Sequence, residues 1–137
     1  MKKIILFICC VFLCLGFAAC EEKKSKETLV VSVDLVDSDG NLINDMLVTL
    51  NRHETYTVNA ICKDIDGNEV ALKEKNIQMI SWRCSDPSGV TFSPAFPTTG
   101  KTGTLYGSTA PISPTVTVDY RGIIAKFSLK IVMPMPD

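Results

Sequence analysis

The chain has 137 residues, with 15 acidic and 14 basic side chains, a single histidine and a formal charge of −1. That length supports one domain with one core. A near-neutral balance with no dense basic stretch sets nucleic-acid binding aside, and one histidine excludes any metal site built from several.

Lys2 and Lys3 begin the chain, and Ile4 to Ala19 then runs sixteen residues without a charge. As a helix that run reaches about 24 Å, short of the roughly 30 Å of a bilayer's hydrocarbon core. It closes on Leu15-Gly16-Phe17-Ala18-Ala19-Cys20, followed at once by Glu21-Glu22-Lys23-Lys24. A positive start, an apolar stretch and small residues before a break are the layout of a secretory signal peptide. The ending Ala18-Ala19-Cys20 resembles the lipobox of bacterial lipoproteins, with Phe17 where that family usually places an aliphatic residue. The resemblance implies cleavage before Cys20, a diacylated thiol and an acylated (palmitate-type) amino terminus. An anchor of two or more acyl chains holds stably without a transmembrane helix.

Counting from Cys20 leaves 118 residues, with 12 basic against 15 acidic side chains. Cys9, Cys10 and Cys14 leave with the leader and Cys20 carries lipid, so Cys62 and Cys84 remain. An exported chain reaches compartments where disulfides persist. Residues 20–28 are charged and lack an apolar period, which reads as a tether. The acidic pair after the cysteine resembles export signals of surface lipoproteins in the Bacteroidetes group, implying display on the outer face as an addition to a plain linker role.

From Leu29 onward the period is two. Val31, Val33 and Leu35 alternate with Ser32 and Asp34, the mark of a strand with one dry face. Asp37-Ser38-Asp39-Gly40-Asn41 is a turn, and Met46 to Leu50 a short apolar stretch. Tyr56, Val58, Ala60 and Cys62 share one face of the next strand, which ends in a second turn, Asp64-Ile65-Asp66-Gly67-Asn68. The spacing predicts a strand over Asn76–Cys84, with Ile80, Trp82 and Cys84 on one side. Val90 and Phe92 make a brief strand, Ser93 to Gly103 a loop, and Thr104–Tyr106 another short strand. Val116, Val118 and Tyr120, then Ile123, Ala125, Phe127, Leu129 and Ile131, read as a hairpin turning at Arg121-Gly122. Pro134 and Pro136 end pairing. No helical period follows residue 28.

About seven short strands in little over 100 residues argue for an all-β, two-sheet sandwich. Residues 29–133 resemble a bacterial immunoglobulin-like (BIG-type) domain. The resemblance rests on the Asp64–Asn68 turn, on Ser81-Trp82 before Ser85-Asp86-Pro87, and on Tyr120-x-Gly122 leading into the final strand. The Pro-rich insert from Ser93 and Cys84 just after the tryptophan depart from the pattern. The organisation expected is a signal peptide over 1–19, a tether over 20–28 and the sandwich over 29–133. In that fold Cys62 and Cys84 point inward from opposite sheets. A bridge closing a 22-residue loop would be worth about 3 kcal/mol in the chain-entropy view. The bridge is the expectation, with two buried reduced thiols as the alternative.

Asp37, Asp39, Asp64 and Asp66 invite a calcium reading. An EF-hand loop wants Gly at its sixth position and Glu at its twelfth; these runs have Gly at the fourth, and Val48 and Lys75 at the twelfth. Asp-Gly-Asn turn chemistry accounts for them. His53, among Asn51, Arg52 and Glu54, is the only candidate base, and neither nucleophile-elbow, zinc-helix nor phosphate-loop patterns occur. Neither an enzyme nor a cofactor is expected. Phe96, between Pro94 and Pro97, and Tyr106 are the candidate contacts for a glycan or protein. The function read from the sequence is a lipid-anchored, non-catalytic binding or structural module of the cell envelope, at the outer membrane. Its partners are the membrane and, beyond it, envelope proteins or glycans. The alternative is a carbohydrate-binding or inhibitory lipoprotein using residues 93–106.

Overall fold

Alternation of apolar and polar residues turns one face of each strand away from water, and two such sheets cover each other. In the computed structural model, residues 27–93 and 98–136 are described; Cys20, Phe96 and the tether before Glu27 lie outside them. Nine strands appear among these residues: β1 Ser32–Asp37, β2 Leu47–Asn51, β3 Thr55–Lys63, β4 Ile80–Cys84, β5 Val90–Ser93, β6 Thr98–Thr99, β7 Thr102–Gly107, β8 Thr115–Tyr120 and β9 Ile123–Val132. One sheet has the order β1-β3-β7-β5 and the other β2-β9-β8-β4-β6. The two-sheet sandwich expected from the periodicity is therefore the fold. β9 shows the principle most plainly: Ala125, Phe127, Leu129 and Ile131 are buried, while Ile124, Lys126, Ser128 and Lys130 face out.

Between the sheets lie Leu35, Val58, Ile80, Trp82, Leu105, Val116, Val118 and Leu129, all fully buried. Trp82 meets the Phe92 ring at 5.3 Å between centroids, and its indole N–H donates to the Gly100 carbonyl at 2.7 Å. Phe92 reaches it because Gly103, an inward position of β7, has no side chain; a Cβ there would land within 2.8 Å of the Phe92 ring.

The two Asp-x-Asp-Gly-Asn runs form the same turn. Asp37 Oδ1 accepts the N–H groups of Asp39 and Asn41 at 2.9 and 2.8 Å, and Asp64 Oδ1 those of Asp66 and Asn68 at 3.0 and 2.9 Å. Gly40 and Gly67 take φ of 84° and 82°, values that favour glycine. These carboxylates are occupied by backbone amides, as the turn reading expects.

Elsewhere the chain differs from the sequence reading. The strand predicted from Asn76 starts only at Ile80; Glu74–Ile77 is a one-turn helix, α1, with Asn76 buried. Periodicity cannot announce a single turn of helix. The stretch from Ser93 to Gly103 is not all loop, since β6 and the start of β7 fall within it. β2 lies parallel to β9, with Leu47 opposite Ser128. The outer edge of β1 is closed by a side chain. Asn44 Nδ2 donates to the Val33 carbonyl at 3.0 Å and its Oδ1 accepts the Leu35 N–H at 2.6 Å, imitating a further strand.

The sandwich has two ends. The corner at Gly100–Lys101 bonds to both sheets, Gly100 N–H to the Ile80 carbonyl and Ala60 N–H to the Lys101 carbonyl. Ala60 and Ile80 therefore sit at one level, near what is here called the upper end, where β3 finishes and β4 begins. Cys62 lies two residues above that level and Cys84 four below. At ~3.3 Å per residue the two are separated by roughly 20 Å along the strands, far outside disulfide reach. Both are free thiols, Cys62 buried and Cys84 half-buried. The expected bridge is thus corrected: opposite sheets were right, opposite ends were not foreseen.

Candidate functional site

The upper end carries a cleft of about 620 Å³. Three segments build it: residues 27–30, the connection from β3 to β4, and the tight turn between β8 and β9. Asn76 ties them together. α1 points its amide inward, where it is 3% exposed. Asn76 Nδ2 donates to Glu27 Oε1 at 2.9 Å, and its Oδ1 accepts from the Arg121 guanidinium at 3.2 Å. Arg121 has φ of 52°, lies 5.5 Å from the Tyr120 ring centroid and donates from Nε to the Met79 sulfur at 3.0 Å. The turn is held by Asp119, whose Oδ1 accepts the Gly122 N–H at 2.7 Å.

The Asn76 hydrogen bond holds the Glu27 carboxyl below its usual range, helped by the positive charges of Arg121, Lys75 and Lys73. Opposite them, Asp64 and Glu69 line the same cleft, and Glu69 pairs with Lys101 at 2.6 Å. Charges of both signs, a buried amide and an aromatic wall suit the docking of chain or polar groups. No hydrolytic constellation is formed by these side chains. The sequence reading missed Asn76 altogether, because one asparagine between Lys75 and Ile77 carries no pattern.

Of the residues singled out from the sequence, Tyr106 stands on the outward face of β7, half-buried, far from this cleft and near the lower end. Its hydroxyl lies 2.8 Å from His53 Nδ1. His53 is exposed in the Asn51–Glu54 turn with φ of 73°. Glu54, whose carboxylate accepts from the Asn51 backbone and side chain at 3.0 Å, closes that turn; the side-chain bond from Asn51 lowers its pKa. Threonines continue the same face, with Thr57 and Thr104 hydroxyls 3.2 Å apart and Thr102 donating to Asn59 at 2.7 Å. Phe96, Tyr106's proposed companion, and Cys20 are outside the described residues. Cys62 and Cys84 are not brought together, and burial raises the pKa of each thiol. Trp82 is fully buried, which leaves it no role as a stacking platform. Among the described residues no group of three or more His, Cys, Asp or Glu side chains is placed to hold a metal ion.

No protein-family model matches the chain, and no curated protein matches it. Solved structures do resemble it. Domains 4 and 5 of the S-layer protein SbsC superpose over 76% of the chain at 14% identity with a TM-score of 0.53. Domains 4–9 of surface layer protein SbsC do so over 79% at 15% identity and 0.55, and domains 5–6 over 79% at 17% identity and 0.53. The chain spans 46% of the first and third of these structures and 15% of the second. At such identities the likeness is one of fold.

Proposed function

We propose that this protein is a lipid-anchored module of the bacterial cell envelope, with a structural or binding role and no chemistry of its own. The observation that carries the reading is a pairing. A leader ending in Ala18-Ala19-Cys20 precedes a sandwich whose fold is shared with domains of a bacterial surface-layer protein. This chain has the same layered architecture as those domains, behind a leader that resembles an export signal. The Cys20 lipid would hold it to the outer membrane, with the charged tether as the linker between lipid and domain. Envelope proteins or glycans are the partners this role calls for.

Lipidation is tested by detergent-phase partitioning of the chain beside its Cys20→Ser variant. The wild type is expected in the detergent phase and the variant in the aqueous phase; equal partitioning would refute the anchor. A second reading, glycan or inhibitor binding from the 93–106 region, is favoured by the outward Tyr106 hydroxyl beside His53. Glycan-array binding that disappears in a Phe96→Ala, Tyr106→Ala double variant would support it.

A further inference from the structure

We infer that the upper end of the sandwich is a membrane-seating surface, set against the bilayer that the Cys20 anchor enters. The inference rests on the lipid-anchor reading and adds to it an orientation and a contact.

The four most exposed apolar side chains at or beside this end are Leu29 at 76%, Ile65 at 82%, Met79 at 45% and Ile124 at 64%; the lower end also leaves Leu42, Met133 and Met135 in solvent, so it is the tether, not exposure alone, that chooses between the ends. The upper four come from four separate segments. Leu29 belongs to the cleft's leading strap, Ile65 to the turn after β3, Met79 to the approach to β4, and Ile124 to the first residues of β9. Scattered apolar residues on a surface need no explanation, but the fold supplies a control for Ile65. The twin turn at Asp37–Asn41 has the same hydrogen bonds and the same left-handed glycine, yet carries Ser38 where this one carries Ile65. Turn geometry therefore does not require isoleucine there. An isoleucine four-fifths exposed at a turn tip, on the end where the chain arrives, is placed for contact with something apolar.

The length of chain before the sandwich names the contact. From Cys20 to Glu27 there are seven residues, which span at most about 25 Å when fully extended. Glu27 is in turn fixed to α1 and to the β8–β9 turn through Asn76 and Arg121. The tether thus leaves the domain at a defined point beside these four residues. The lower end lies a full strand further away, about 30 Å for the ten residues of β9. Lys73, Lys75, Lys101 and Arg121 are offset at this end by Glu27, Asp64, Asp66, Glu69 and Glu74, and Lys63 pairs with Asp34. Without a basic surplus, attraction to anionic lipid is not the driving force. Shallow insertion of apolar side chains at the interface is.

The test uses the full chain, matured in a lipoprotein-processing bacterial host and reconstituted into phosphatidylcholine vesicles. A Cys84→Ser background leaves buried Cys62 unlabelled, and an environment-sensitive fluorophore is placed at Ile65→Cys or, as the lower-end control, at Met135→Cys. The expected result is a blue shift and quenching by lipid-borne nitroxide at position 65, neither at position 135, and no change with salt or added anionic lipid. Vesicle-bound chain with position 65 unquenched, or with both positions quenched alike, would overturn the seating while leaving the anchor standing. Chain that fails to float with vesicles would overturn the anchor and the seating together. Ile65→Ser, which installs the twin turn's residue, should keep the melting temperature and weaken quenching of a label at Leu29→Cys. Undiminished quenching there would also count against the seating.

Discussion

Gly103→Ala tests whether the core is packed as the structure describes. β5 and β7 pair with Phe92 opposite Leu105 and Ser93 opposite Thr104, so the Phe92 ring lies diagonally across Gly103. An added methyl would come within 2.6 and 2.8 Å of Phe92 Cε2 and Cε1, and closer still to Cζ. No carbon can sit there, so the ring must leave. Overpacking of this kind costs about 1–3 kcal/mol. Separation of the Trp82–Phe92 pair adds roughly 0.5–1.5 kcal/mol. The alanine returns about 0.4–1 kcal/mol by stiffening the unfolded chain. The net is a destabilisation of about 2 kcal/mol, which urea unfolding followed by Trp82 fluorescence would report as a lower midpoint at unchanged slope. The coupling is the sharper readout. In a Phe92→Ala background the space is empty, and Gly103→Ala should become neutral or stabilising. Equal losses in both backgrounds, or none in either, would refute this account of why β7 carries a glycine at that position.

Asn76→Ala should destabilise by about 1–3 kcal/mol, because the two hydrogen bonds that the buried amide makes to the charged groups of Glu27 and Arg121 are lost; a change under about 0.5 kcal/mol would show that the upper end is not tied together there. Alkylation without reductant should label both the Cys62 and Cys84 peptides once the chain is unfolded in denaturant. In the native protein Cys62 should resist, since burial both hides it and lowers its thiolate fraction; denatured chain that takes no label at either cysteine would restore the bridge. Acid stability follows from Glu27, Asp37, Glu54 and Asp86, each lowered in pKa chiefly by a side-chain hydrogen bond, from Asn76, Asn41, Asn51 and Ser88 respectively. Groups depressed on folding stabilise above their unfolded pKa values, and the gain disappears as pH falls through the folded ones. The urea midpoint should be flat above about pH 5 and fall below about pH 4; a midpoint that holds or rises towards pH 3 would contradict these contacts.

The hairpin of β8 and β9 was legible in the sequence almost residue by residue. A pleated strand repeats every two residues, and Val116 to Tyr120 and then Ile123 to Ile131 keep that repeat on either side of the Arg121-Gly122 turn. The Asp-Gly-Asn turns were equally plain, because their hydrogen bonds run from a side chain to amides two and four residues on. Such features need only neighbours along the chain. α1 escaped notice because one helical turn is shorter than any period that could reveal it, and Asn76 because its partners, Glu27 and Arg121, are 49 and 45 residues away.

Local alternation thus told which residues would be dry and that two sheets would form to cover them. Which strands lie side by side was another matter, since apolar stripes fit many neighbours equally well. The parallel placement of β2 on β9, the closure of β1 by Asn44 and the distance between Cys62 and Cys84 all depend on where the chain returns after crossing the sandwich. The cysteines show the reason most clearly. Parity along a strand says which way a side chain points, whereas its height above the corner at Gly100–Lys101 is settled only when the two sheets are laid against each other.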